Sequence, residues 1–144
     1  MNGIETSSQE KDMIQKFKES EERLKKQNQI LLRLAKSSAI DNGDLQAALK
    51  EITIAATEAL NCDRSSVWIY NPEKTAIVCL NLFENSKNAH ASGVELFAKD
   101  FPAYFKYLQE ERSLAAHNAH TDPSTYEFSV VYLTPLGINS MLDA

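Results

Sequence analysis

The sequence lacks the features that mark secreted, membrane-spanning or zinc-binding proteins. Its two cysteines, Cys62 and Cys79, show neither CxxC nor Cys/His ligand spacing, which indicates reduced, packed thiols rather than a disulfide or a zinc site. No apolar run is long enough to cross a membrane, and the first residues form neither a basic region nor an apolar segment. We therefore expect no transmembrane span, no signal peptide and a cytoplasmic location.

Clustered positive charge is also scarce in most of the chain. Residues 1–36 contain eight Lys/Arg and six Asp/Glu, whereas residues 37–144 contain seven and fourteen. Nucleic acid is not expected as a partner, because phosphate binding requires concentrated positive charge. The length of 144 residues, with 43% hydrophobic residues, fits one globular domain.

A long N-terminal helix is predicted from Gln9 to about Lys36, a stretch that has no Pro or Gly and is dominated by strong helix formers. Apolar residues in it follow an interrupted heptad pattern: Phe17, Leu24 and Leu31 at one position, Met13 and Leu34 at the other, with Ser20 and Gln27 as interruptions. Two interpretations remain open, a solvated helix lying on its own domain and a parallel coiled coil in a dimer. We favour the dimer.

The stretch 64–70, RSSVWIY, is rich in β-branched and aromatic residues and predicts a strand. Because neither of its alternating faces is purely polar, we expect a central strand, covered on both sides. A turn at 71–74 should return the chain into a second strand at 76–83, and residues 85–92 look like a loop. Further strands are predicted at 93–97, 114–116 and 139–144.

Three helices are predicted between and around these strands. Asp44 should cap a helix over 45–60, Asp100 one over 101–111, and Asp122 with Pro123 one over 124–134. The helix over 45–60 has apolar residues at helical spacing, which we expect to face inward: Leu45, Ala48, Leu49, Ile52, Ala56 and Leu60. The order of elements predicts an α+β fold, an antiparallel sheet flanked by helices.

Three segments together resemble a GAF domain of bacterial sensor histidine kinases: GDLQAALKEITIAATEALNCDRSSVWIYN, AHTDPSTYEF and YLTPLGINSMLDA. The upstream FKESEERLKKQNQILLRLA resembles the signalling helix that precedes such domains. The resemblance implies a linker or coiled-coil helix over 1–36 and a GAF domain over 37–144. It also implies a further strand and a closing helix after Ala144, whose lack would favour strand exchange between copies or aggregation.

The resemblance further implies a non-catalytic sensory domain of a two-component protein, a homodimer through the N-terminal helix, and a small-molecule pocket between the sheet and the helices. The candidate pocket residues are Trp68, Tyr70, Tyr104, Phe105, His117, Phe128 and Tyr132. The alternative is a ligand-free dimerisation spacer in which these aromatic residues simply fill the core.

No cofactor is specified by the sequence. YLTPLGI resembles the segment that follows the chromophore-binding Cys-His pair of phytochrome-type GAF domains, but Phe128 and Ser129 occupy those two positions, so a covalent bilin is not expected. His117, His120 and Asp122 have a spacing that suits metal ligands, although they also suit a loop in which Asp122 caps and His120 binds backbone. Single-histidine haem ligation would leave no spacing signature.

A thiol-dependent methionine sulfoxide reductase is the enzyme alternative that the resemblance allows. It would require Cys62 and Cys79 to lie close together with an activated thiol. Because neither has an evident helix N-terminus or cation cluster beside it, and no phosphate loop or nucleophile elbow is present, we expect no catalysis by this chain.

Overall fold

A helix of 34 residues, α1 (Asn2–Ala35), begins the computed structural model, which describes the backbone of residues 2–144 and the side chains of residues 7–144. The predicted N-terminal helix is thus confirmed, and it begins earlier than the pattern indicated. A short helix that the sequence analysis missed, α2 (Ser38–Asp41), follows, and the Ser37 side chain caps it by accepting from the Ile40 N–H.

Helix α3 (Leu45–Leu60) has the predicted bounds, and Asp44 caps it by accepting from the Ala47 N–H at 3.1 Å. The predicted inward face is only partly right. Leu45, Ile52 and Leu60 are exposed, while Thr53 and Thr57 are buried. The threonine hydroxyls donate to backbone carbonyls one turn back, so that a residue classed as polar can lie in the buried face without an unpaired group.

Four antiparallel strands form the main sheet: β1 (Arg64–Tyr70), β2 (Ala76–Glu84), β3 (Ala89–Ala91) and β4 (Glu95–Phe97). β2 pairs with β3 in a register that places Phe83 opposite His90, and with β4 in a register that places Ile77 opposite Leu96. The loop predicted over 85–92 therefore contains a short strand, and the strand predicted over 93–97 begins at Glu95.

The prediction that β1 is the central strand is wrong, because β1 stands at the end of the strand order and β2 is the strand with several partners. Burial agrees with this topology. β2 alternates buried and half-buried residues along its length, whereas Ile69 of β1 is 54% exposed. Trp68 and Tyr70 of β1 pack against the core cluster. An edge strand can therefore also be rich in aromatic and β-branched residues.

Helix α4 (Pro102–Glu110) leads to β5 (Leu114–Ala116), which pairs antiparallel with β6 (Met141–Asp143) and places Ala115 opposite Leu142. The predicted Asp100 cap is wrong: Phe101 is the cap residue of α4 and makes no side-chain capping bond. The strands predicted over 114–116 and 139–144 are both present, as β5 and β6.

The single helix predicted over 124–134 is also wrong. The chain there forms a 3₁₀ turn (Tyr126–Phe128), a π-helical turn (Ser129–Leu133) and one α-helical turn, α5 (Thr134–Leu136). Pro135 lies inside α5, and Gly137, with φ of 65°, ends it.

Two units compose the chain, one formed by residues up to Val67 with Leu80–Ser92, the other by Trp68–Cys79 with Gly93–Ala144. The first contains α1, α2 and α3, and the second contains α4, α5 and the β5–β6 pair. The α+β class with antiparallel strands is confirmed. Along the described chain, no helix combines the length and apolar character needed to cross a bilayer.

Candidate functional site

An aromatic cluster is the main packed region of the second unit. Phe101 stacks on Phe128 with ring centroids 4.5 Å apart, and Tyr104 meets Phe128 edge-on at 4.8 Å. Phe105 makes a further edge contact with Tyr70 at 6.2 Å. These separations are those that aromatic pairs prefer, so the rings fill space against one another.

Six of the seven predicted pocket residues belong to this packed region. Three of them are buried and three are partly buried against it: Tyr104, Phe105 and Phe128 in the first group, Trp68, Tyr70 and Tyr132 in the second. The seventh, His117, follows β5 and is exposed. The sequence thus identified a group of residues that lie together in the fold, with His117 outside it.

Of the three residues with metal-ligand spacing, His117 is exposed, and His120 and Asp122 make other contacts. His120 contacts the Ser129 hydroxyl through Nδ1 at 2.8 Å and the Ile138 carbonyl through Nε2 at 2.9 Å. Asp122 accepts from the Ser124 backbone and side chain, and these bonds lower the pKa of the Asp122 carboxyl. Among the described residues, no group of three His, Cys, Asp or Glu is arranged to hold a metal.

A buried tyrosine, Tyr104, and a half-buried carboxylate, Asp143, form a pair at the margin of the aromatic cluster. The Tyr104 hydroxyl donates to Asp143 Oδ2 at 2.7 Å. Burial raises the pKa of Asp143, while the bond from Tyr104 opposes this rise. Burial and the neighbouring carboxylate also raise the pKa of Tyr104 far above its ordinary value, which keeps that hydroxyl protonated as a donor.

A second polar group near this pair is the hydroxyl of Tyr70. It is shielded from solvent and makes no hydrogen bond to the residues that the structure describes. Tyr70 and Asp143 both line a pocket of about 190 Å³ at the C-terminal end of α4. Buried hydroxyls without a partner are uncommon in folded proteins, and the ring that carries this one packs against the aromatic cluster.

The N-terminus of α4 receives its cap from a residue distant in sequence. Glu127 accepts from the Ala103 N–H at 3.0 Å and from the Tyr104 N–H at 3.1 Å. A carboxylate there satisfies two free amide donors and complements the helix dipole. It also fixes the 3₁₀ turn that carries Phe128 against the start of α4.

In the first unit, hydrogen-bonded polar side chains join α3 to the hairpin of β2 and β3. The Thr53 hydroxyl donates to Asn81 Oδ1 at 2.9 Å, and His90 Nδ1 lies 3.0 Å from the same oxygen. Arg64 and Glu84 form an ion pair at 2.6 Å with both side chains less than one-fifth exposed. The Thr53, Asn81 and His90 side chains bond to one another, which indicates a structural role.

The two cysteines do not have the environment of reactive thiols. Burial raises the pKa of Cys62, and Cys79 is 3% exposed. A nucleophilic cysteine needs a lowered pKa and access to solvent. Each thiol therefore has the character of a packed residue.

Helix α1 presents an exposed apolar stripe formed by Met13, Phe17, Leu24 and Leu31. Their side chains are 67%, 71%, 55% and 62% exposed. Another side of the same helix is held to α3: Ile30 is buried, Gln27 donates to the Ala59 carbonyl at 3.2 Å, and Arg33 pairs with Glu58 at 2.7 Å. The helix is thus fixed on one side and uncovered on the stripe.

Sequence reasoning missed Asp143 and Glu127 because their roles depend on contacts across 39 and 24 residues of chain. No local pattern around either residue signals such a partner. Comparison with protein-family models, with curated proteins and with solved structures finds no match to this chain.

Proposed function

We propose that the chain is a GAF-type, non-catalytic sensory domain of a bacterial two-component signalling protein, acting in the cytoplasm. In this proposal α1 is the signalling helix, through which the domain forms a homodimer and relays a change of state. The observation that carries the proposal is the exposed apolar stripe on α1, since apolar side chains repeating every seven residues are typical of a coiled-coil seam.

The charges beside the stripe favour a parallel dimer. If Phe17, Leu24 and Leu31 occupy heptad position a, Lys16 falls at g and Glu21 at the following e position. In a parallel dimer each Lys16 would face Glu21 of the other copy, a pairing of opposite charges. In an antiparallel dimer g positions face g positions, and Lys16 and Arg23 are both g residues with positive charge.

The proposed relay of a change of state depends on two sides of α1, the exposed stripe and the side that contacts α3. Leu24 and Leu31 lie in the stripe, while Gln27 and Ile30, within the same turns, contact α3 or are buried. A shift of α3 against α1 would therefore change the packing available at the seam. Small movements of packed helices are a common means of transmitting a signal between domains.

The mass of the 144-residue protein in solution tests the proposal. Sedimentation equilibrium should give a dimer, and Leu24→Asp should give a monomer because it places a charge in the apolar seam. Leu32→Asp is the matched control, since Leu32 is 61% exposed, close to the 55% of Leu24, but lies off the stripe. A wild-type monomer, or equal loss of the dimer in both variants, would overturn the proposal.

Orientation can be tested separately by cysteine cross-linking. In a parallel, in-register dimer the two copies of residue 24 face each other, so Leu24→Cys should form a disulfide between copies on mild oxidation. Leu32→Cys should not. Cross-linking of neither variant in a proven dimer would contradict the parallel seam.

A second candidate, a ligand-free dimerisation spacer, is favoured by one observation: the aromatic rings of the second unit pack against each other and leave little space among them. The two candidates share the dimer and differ in the ligand. A bound or stabilising small molecule favours the sensor, and its absence favours the spacer.

A further inference from the structure

The connection between α2 and α3 contains an exposed asparagine that is followed by glycine. Asn42 ends α2 as its C-cap residue, Gly43 follows it, and both are exposed. Asparagine is a chemically labile residue, because the amide nitrogen of the next residue can attack the carbon of its side-chain amide. Glycine in the next position favours this attack, since it has no Cβ to obstruct its nitrogen and leaves the main chain mobile.

No contact holds the Asn42 side chain away from its neighbour. Its amide makes no hydrogen bond to any residue that the structure describes. Gly43 has a φ of 70°, and apart from its chain neighbours no heavy atom lies within 4 Å of the position that a Cβ would take there. The space around the two reacting groups is therefore open to the solvent.

The main chain must open locally before the attack, because Asn42 has a helical ψ of −3° and the Gly43 N–H is bonded to the Ile40 carbonyl. That bond is 3.2 Å long, at the upper end of the range for N–H···O bonds. It lies at the end of a helix of only four residues. Opening such an exposed helix end takes much less free energy than unfolding the core, so the reaction can start from the folded protein.

Asn85 has a similar position in a turn but is held differently. The residue after it is Ser86, whose N–H donates to Asp63 Oδ1 at 2.7 Å and whose hydroxyl donates to Asp63 Oδ2 at 3.0 Å. Two bonds to a carboxylate fix this amide nitrogen more firmly than one long bond to a carbonyl. A serine Cβ also stands beside it. Asn85 is therefore the internal comparison for Asn42.

We propose that Asn42 is a modification site, at which the folded protein converts this asparagine to aspartate and isoaspartate. The Gly43 nitrogen gives its proton to hydroxide and bonds to Asn42 Cγ, while the bond from Cγ to the side-chain nitrogen breaks and ammonia leaves with a proton from water. Water then opens the cyclic imide at either carbonyl. Water is the co-reactant, and the step needs no enzyme or cofactor. The inference goes beyond the proposed function and does not depend on it.

The two products should differ in their effect on α3. Aspartate adds a charge to the turn and leaves the length of the main chain unchanged, whereas isoaspartate inserts a methylene into the main chain before Asp44. Asp44 caps α3 by accepting from the Ala47 N–H at 3.1 Å, and its own N–H donates to the Ala39 carbonyl at 2.9 Å. A longer main chain displaces both bonds, so isoaspartate is the destabilising product.

Ageing of the folded 144-residue protein in mildly alkaline buffer, followed by peptide mapping, tests the proposal. The peptide that contains residue 42 should gain the mass that replaces NH₂ by OH and should split into two chromatographic species, before the peptide that contains Asn85 gains mass. The other Asn-Gly pair, at residues 2–3, lies in a different peptide and is measured separately. A free peptide of residues 40–45 sets the time scale. An unchanged residue 42 after the free peptide has fully reacted, or an earlier gain at Asn85, would overturn the proposal.

Two variants locate the reaction and its effect. Asn42→Gln retains an amide and Gly43 but requires a six-membered ring, so the gain should slow about tenfold or more. An equal gain in this variant would place the reaction at another residue and contradict the assignment. Asn42→Asp has the charge without the longer main chain, and it should melt as fresh wild-type protein does, while aged protein that contains isoaspartate should melt at a lower temperature. Equal melting of the aged and fresh proteins would contradict the predicted effect on α3.

Discussion

Helices α1 and α4 both carry apolar residues at helical spacing, yet they use them differently. On α4, Tyr104 and Phe105 are 7% and 2% exposed, whereas on α1 Phe17 and Leu24 are 71% and 55% exposed. Leaving a side chain of this size in water forgoes about 1.5–3 kcal/mol of burial energy. The comparison indicates that the apolar residues of α4 are buried by its own chain, whereas those of the α1 stripe remain exposed; the proposed dimer would bury them.

The same substitution placed in each helix would show this difference most strongly. Phe105→Ala should lower the free energy of unfolding by about 3–5 kcal/mol, because it leaves a cavity beside Tyr70 and Tyr104. Chemical denaturation at low protein concentration measures the loss. A change below about 1 kcal/mol would mean that the aromatic cluster is loosely packed, and the dimer affinity should remain as in the wild type.

Phe17→Ala on α1 should have the opposite profile. Its effect on unfolding at low protein concentration should stay within about 0.5 kcal/mol, because the ring is mostly in solvent. The dimer should weaken about tenfold or more, since each copy loses a seam residue. Sedimentation equilibrium over a range of concentrations gives the affinity, and an unchanged value would show that the stripe is not the interface.

Local signals predicted the elements that depend on local contacts. The bounds of α3 and β1 were predicted correctly, because Asp44 caps the helix and the strand lies between Asn61, with φ of 50°, and the turn that begins at Asn71. The helix predicted over 101–111 is likewise present, as α4.

Features that depend on partners elsewhere in the chain were not predictable in this way. The inward face of α3 was misplaced because the Thr53 hydroxyl bonds to the Leu49 and Lys50 carbonyls and to Asn81, so a polar residue is buried where an apolar one was expected. The irregular turns over 126–136 have no distinct periodicity. Of the candidate site, the aromatic residues were identified, while Asp143 was not, since only pairing of β6 with β5 brings it beside the pocket.

The cap of α4 offers a smaller test of the difference between local contacts and contacts distant in sequence. Glu127→Ala should destabilise the protein by about 1 kcal/mol, because it frees the amides of Ala103 and Tyr104. Glu127→Gln should cost less, since an amide oxygen still accepts. The control is Asp100→Ala, which should have little effect because Asp100 does not cap the helix. Greater loss in Asp100→Ala than in Glu127→Ala would contradict this assignment.

Asp143 is the polar group that opposes the otherwise favourable packing around α4, and its effect should depend on pH. Burial raises the pKa of Asp143 in the folded protein above its ordinary value of 3.8. Below that value both folded and unfolded chains hold the proton. As pH rises, the unfolded chain releases it first, so the free energy of unfolding falls until the folded carboxyl has also ionised.

Asp143→Asn removes this penalty and retains an oxygen that can accept from Tyr104. The variant should therefore melt at a higher temperature than the wild type at about pH 8, and the difference should vanish at about pH 3, where the wild-type carboxyl is protonated. Thermal unfolding followed by circular dichroism at both pH values measures this. Asp122→Asn should have the opposite effect on the melting temperature. Hydrogen bonds lower the pKa of Asp122, so removing this carboxylate should destabilise the protein at neutral pH and have less effect in acid. A lower melting temperature for Asp143→Asn at about pH 8 would show that the bond from Tyr104 to the carboxylate outweighs the cost of its burial.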